Sequence, residues 1–115
     1  MKTIVYKKII FHDIETIPVD YKYLSPSDLT NSELDDIVLL GIDECWYWYW
    51  AGNYEGSGQI LMRKGELYDI DSLGHCSCYG PTEKLSFNGK KLEEIQMSED
   101  LKKEVSPLIE IATKK

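Results

Sequence analysis

Cys45-Trp46-Tyr47-Trp48-Tyr49-Trp50 is the stretch on which the fold turns. Consecutive aromatic side chains fit a pleated surface and crowd one another on a helix, so these residues predict a strand. Side chains alternate across a strand. Trp46, Trp48 and Trp50 therefore share one face, and Cys45, Tyr47 and Tyr49 share the other. Downstream, Gly52, Gly56 and Gly58 with Asn53 and Ser57 predict a loop into a second strand, Gln59 to Arg63. Lys64-Gly65 then turns the chain into a third strand, Glu66 to Ile70. The three make an antiparallel meander. Lys84-Leu85-Ser86-Phe87, ahead of the Asn88-Gly89 turn, adds a short further strand.

Upstream, the β-branched and aromatic run from Ile4 to Phe11 reads as a first strand ending near His12-Asp13. Pro18 and Pro26 favour an extended, turn-rich connection over residues 14–28. Thr30 and Glu33 stand three apart as in a capping box, with Leu34, Ile37 and Val38 following at helical spacing and Gly41 as a stop. Ser98 caps a terminal helix whose apolar stripe is Leu101, Val105, Leu108, Ile109 and Ala112. Pro107 inside it predicts a kink, or a restart with Ser106 as the new cap. The expectation is one α+β domain over residues 1–115. Its antiparallel sheet of about four or five strands is packed by a short acidic helix and a C-terminal amphipathic helix.

A chain of 115 residues leaves room for one core and excludes a multidomain enzyme. With 43% hydrophobic and 29% charged residues it has the composition of a folded protein. The net charge is −7, from 20 acidic and 13 basic side chains, which argues against direct binding to nucleic acid or to an anionic membrane. That charge is concentrated. Residues 13–44 hold nine acids and one base, a net −8. Two readings stand open for this segment: solvated faces that keep a small protein soluble, or a surface that docks on a basic partner. No run approaches the ~18 apolar residues of a membrane span, and the N-terminal lysines precede no signal-like apolar run. The expected location is the cytoplasm.

Candidate chemistry centres on two places. His75, Cys76 and Cys78, joined by Cys45, offer four zinc ligands, since thiolate and imidazole suit that ion. The single residue between Cys76 and Cys78 fits one tetrahedral ion poorly, and small packed thiols explain the same residues. A cysteine nucleophile at Cys76 or Cys78 would need a base such as His75 and an electropositive setting that the negative chain does not supply. Asp13-Ile14-Glu15-Thr16 resembles, over about ten residues, the first carboxylate motif of proofreading-type 3′–5′ exonucleases. The remaining motifs of that family cannot be placed, so these acids read as a solvated strand end.

The Trp face is expected to be core, covered by the terminal helix, which leaves Tyr47 and Tyr49 as the exposed aromatic surface. With Asp28, Glu33, Asp35, Asp36, Asp43, Glu44, Tyr54 and Glu55 they form the expected partner-binding set, and no catalytic residue is assigned. Trp48-Tyr49-Trp50, Tyr54-Glu55-Gly56-Ser57-Gly58 and His75-Cys76-Ser77-Cys78-Tyr79-Gly80-Pro81 resemble small uncharacterised proteins carried by phages and prophages of Gram-positive bacteria. The resemblance covers about a third of the chain. It implies an accessory protein of the host-cell cytoplasm that binds and inhibits host or defence machinery such as CRISPR effectors. Those effectors carry basic nucleic-acid channels that an acidic protein can fill.

Overall fold

β4 (Glu44–Ala51) is the middle of the sheet in a computed structural model that describes residues 1–15, 24–76 and 79–114. Its side chains alternate as the sequence demands, and both of its faces are buried. β5 (Gly56–Lys64) lies antiparallel to it, with Trp46 opposite Leu61 and Tyr47 opposite Ile60. β6 (Leu67–Ser72) follows after a two-residue turn in which Gly65 takes φ +59. This is the expected meander within an α+β fold.

The other side of β4 departs from a wholly antiparallel sheet. The apolar run expected as one strand is a hairpin of β1 (Lys2–Tyr6) and β2 (Ile9–Asp13), with Tyr6 opposite Ile9. Lys7 and Lys8 make the turn at φ 48 and 72, a left-handed geometry without the usual Gly or Asn. β2 then runs parallel to β4, Ile10 opposite Glu44 and Asp13 opposite Tyr47. Residues 14–43 supply the length that a parallel crossover needs. Beyond β2 on the same edge of β4, β3 (Ser25–Pro26) pairs antiparallel with Trp50 and Ala51. The sheet order is β1-β2-β4-β5-β6, and the sheet is mixed.

Gly56 and Gly58, expected in a loop, lie inside β5. The turn is tighter, closed by Gly52 N–H donating to Glu55 O at 2.8 Å. Both glycines admit a close neighbour: a Cβ at Gly58 would sit 2.2 Å from the Trp48 carbonyl oxygen, and one at Gly56 would sit 2.3 Å from the Tyr49 hydroxyl. The ring of Tyr49 reaches over the space that a side chain at Gly56 would fill.

Two helical layers close the sheet. α1 (Asn31–Val38) carries the expected capping box: Glu33 N–H donates to the Thr30 hydroxyl at 3.3 Å, and Thr30 N–H donates to the Glu33 carboxylate at 2.8 Å. It lays Leu34 and Ile37 on the Cys45, Tyr47, Tyr49 face together with Phe11, Ile60 and Met62. α2 (Glu99–Thr113), capped by Ser98, covers the Trp face: Leu108 packs with Trp46, Trp48 and Leu61. Pro107 neither ends nor restarts it. The helix runs through, and the Ser106 hydroxyl donates back to the Lys102 carbonyl instead of capping a new helix. Residues 85–87 form no strand. Asp71 and Asp69 of β6 accept the backbone N–H groups of Ser86 and Asn88, so carboxylates replace ladder bonds, and one bridge joins Tyr68 to Lys90.

Two substitutions test this geometry. Lys8→Gly relieves a left-handed L-residue and is expected to raise stability by about 1 kcal/mol, read as a higher urea midpoint with unchanged slope. Gly58→Ala drives a methyl group into the backbone of β4 and is expected to cost about 3 kcal/mol or to abolish folding.

Candidate functional site

β2 and β3 reach the same edge of β4 from opposite directions, and their ends meet beside Tyr47 and Tyr49. Ile14 N–H donates to the Tyr47 carbonyl at 2.8 Å, and Ser27 N–H donates to that of Tyr49 at 3.1 Å. The two strand ends bring Asp13, Glu15 and Asp28 together although Asp13 and Asp28 are fifteen residues apart. With Pro26, Ser27 and Tyr49 they line a groove of about 410 Å³. A much smaller cavity, lined in part by Lys2, Phe11, Leu34 and Tyr47, shares Asp13 and Asp28 with it.

Asp13 is 7% exposed, and one carboxylate oxygen accepts Glu15 N–H at 3.0 Å, with Glu15 held at φ 44. Burial raises its pKa, the Glu15 N–H opposes that, and the charges of Glu15 and Asp28 add to the rise against a small opposing effect of Lys2. Burial and the Glu33 charge push the Tyr49 phenol up to about 12. Tyr47 is shifted upward too, by burial first and then by Asp13. Tyr47 and Tyr49 therefore stay neutral at ordinary pH, and the carboxylates set the sign of the groove. Such an arrangement accepts N–H donors and cations.

The expected contact set is redistributed. Tyr47 and Tyr49 are 5% and 6% exposed, so they do not form an exposed aromatic surface; α1 and the strand ends cover them, and Tyr49 only walls the groove. Asp35 accepts from the Tyr6 hydroxyl at 2.8 Å and the Lys7 ammonium at 2.7 Å. Asp36 accepts from Thr82 at 2.7 Å, and Asp43 from Gly65 N–H at 2.7 Å. Glu44 is clamped by Arg63 at 3.0 Å and by the His12 imidazole at 2.6 Å, whose other nitrogen meets the Thr3 hydroxyl at 2.9 Å while its ring stacks on Trp46. Glu33 serves the helix cap. Asp28, Tyr54 and Glu55 remain on the surface, Asp28 with Lys2 3.5 Å away and Tyr54 at 77% exposure. Asp20 lies outside the described residues.

The four-ligand metal reading fails at Cys45. That thiol is fully buried in the α1-side core, and burial pushes its pKa up, away from thiolate. His75 bridges Gly56, which faces Ala51, six residues along β4 from Cys45, a separation of about 20 Å. His75 donates its Nδ1–H to the Tyr79 carbonyl at 2.7 Å, and Cys76 faces Tyr79. Gly74 and Gly80, expected to give this loop special geometry, take no left-handed φ. Cys78 lies outside the described residues. Among the described residues no group of three or more His, Cys, Asp or Glu side chains is arranged to hold a metal ion.

Compared with known proteins, the chain matches no family model, no curated protein and no solved structure. The site is therefore read from its own geometry. Sequence reasoning set Asp13 and Glu15 aside as a solvated strand end, and the structure makes them the floor and rim of the groove. The signal was present in the Asp-x-Glu spacing at the end of a β run. The missing element was Asp28, which only the β2-β3 meeting point brings alongside.

Asp13→Asn tests the electrostatics. A folded-state pKa above the unfolded value near 3.8 means that ionised Asp13 costs stability above the raised titration point, and that the cost is gone below 3.8. The Asn variant, which keeps the acceptor for Glu15 N–H, is expected to be more stable than the natural chain at neutral pH. The difference should shrink as pH falls through that window, measured by urea unfolding from neutral pH to about 3.

Proposed function

We propose that this chain is a non-enzymatic binding module that docks an acidic surface on a protein with a basic face. In its biological setting it is a phage-encoded inhibitor of a host or defence complex that handles nucleic acid, acting in the host cytoplasm. The observation that carries this reading is the groove in which Asp13, Glu15 and Asp28 surround the wall of Tyr49. A lysine or arginine side chain fits such a place: its aliphatic stem lies along the aromatic ring and its charged head meets carboxylates. Tyr54 and Glu55, on the exposed turn beyond β4, extend the surface. The excess negative charge of the whole chain steers a basic partner toward it from beyond contact distance.

The phage assignment rests on the sequence resemblance; the basic partner rests on the groove. Among the described residues no helix is long and apolar enough to cross a membrane. Direct nucleic-acid contact is disfavoured because the surface acids repel phosphates.

The test is capture from a bacterial lysate at low and at about 0.5 M salt, where screening shortens electrostatic reach to a few ångströms. Glu15→Lys with Asp28→Lys is compared with Asp43→Lys, and with Cys76→Ser plus Cys78→Ser. A basic nucleic-acid-binding partner is expected to be lost at high salt and at least tenfold depleted in the groove variant alone. Retention of the same partner by the groove variant, or loss confined to the cysteine variant, removes the reading.

A further inference from the structure

Lys2 and Asp13 stand directly opposite each other where the β1-β2 hairpin opens, so their side chains leave the same face of the sheet. The Lys2 ammonium lies 3.5 Å from the Asp28 carboxylate. Lys2 also bounds the cavity of about 40 Å³ that shares Asp13 and Asp28 with the groove. Its charge lowers the titration of Asp13, against the burial and the neighbouring acids that raise it. Register, contact and field thus place one of the chain's own cations beside two of the three groove acids. The same cavity is lined by two side chains that are more than nine-tenths buried and short of partners. The Tyr47 hydroxyl has no hydrogen-bond partner among the described residues, and Asp13 takes only the Glu15 N–H, on one oxygen. A neutral phenol and a carboxylate both accept, and an ammonium brings three donors in a compact head.

We propose that Lys2 is a tethered competitor for the groove: its ammonium stands where a partner's lysine has to bind, and that lysine must displace it. The inference rests on the groove reading above and adds the regulation of that site. Lys2 suits the part because its side chain is more than half exposed, so its head can leave Asp28 while the backbone of β1 stays paired. An exposed ion pair is weak, which sets the competition at a few-fold and not at orders of magnitude. Lys7 cannot substitute, since it is held by Asp35 at the other end of the hairpin. Lys8, in that same turn, makes no ion pair among the described residues and provides a control of equal charge.

The probe is an N-acetylated tetralysine amide, titrated at low ionic strength while backbone amide shifts are followed by NMR. In the natural chain the shifts are expected at Glu15, Ser27 and Asp28. Lys2→Met and Lys2→Gln are each expected to tighten binding about threefold, whereas Lys8→Met, with the same change of net charge, leaves it nearly unchanged. Without peptide, Lys2→Met is expected to raise the titration point of Asp13, read from its carboxyl carbon, and Lys8→Met to leave it in place. Equal effects of Lys2→Met and Lys8→Met, with the peptide still in the groove, overturn the competition and leave the groove reading standing. So does an Asp13 titration indifferent to Lys2→Met. Peptide shifts missing from Glu15, Ser27 and Asp28 in every variant overturn the groove reading itself, and this inference with it.

Discussion

Trp48 and Tyr49 sit next to each other in β4 and project to opposite faces, and both side chains are buried. That pair of burials organises the molecule. Each large aromatic gains about 3 kcal/mol from leaving solvent, but only if a layer exists on its own side, so a strand with aromatics on both faces requires cover on both. In 115 residues there is little apolar surface to spare, and the two helices are committed to these faces. α2 brings Leu108 and Val105, and the indole N–H of Trp48 donates to the Glu104 carbonyl at 2.7 Å. α1 brings Leu34 and Ile37 to the other face. Trp50, at the strand end, is less well served: its indole N–H is buried with no hydrogen-bond partner among the described residues.

Features set by local chemistry were legible in the sequence. The capping box at Thr30 and Glu33, the Ser98 cap, the β4-β5-β6 meander and the helix-covered Trp face all follow from side-chain type and spacing within a few residues. The hairpin at Lys7-Lys8 was not legible, because nothing in two lysines announces left-handed backbone; β-pairing on both flanks imposes it. Gly56 and Gly58 misled for the opposite reason. Glycines usually signal a turn, but here they are strand residues cleared for the Tyr49 ring and the Trp48 backbone, a demand that comes from another strand. The parallel placement of β2 also depends on long-range pairing. No local pattern distinguishes a strand that will sit parallel to its neighbour from one that will turn back.

The candidate site was half legible for the same reason. The acidic stretch was visible as composition, but its members have different fates that depend on where the fold sends each one. Asp35 ties the β1-β2 turn to α1, and Asp36 holds Thr82. Asp43 closes the β5-β6 turn, while Glu44 joins Arg63 to His12. These carboxylates act as connectors between elements distant in sequence, in the way that Asp69 and Asp71 connect β6 to the segment beyond it. A count of charge along the chain cannot separate a connector from a surface group.

That division bears on the groove. Carboxylates engaged by Lys7, Arg63 or backbone N–H groups are compensated where they stand and contribute little field beyond their own contacts. Where β2 and β3 stop short of each other along β4 the ladder gives way to side chains: Asp13 accepts the Glu15 N–H, Asp28 lies 3.5 Å from an exposed Lys2, and Glu15 stands beside them. Asp13 is held in that gap with burial opposing its charge, and the neighbouring acids oppose it further. A cation entering the groove would ease the burial and the repulsion that Asp13 bears, whereas Asp35 and Glu44 already hold Lys7 and Arg63. Of the described acids in residues 13–44, Asp13, Glu15 and Asp28 are the three that the fold gathers around one groove.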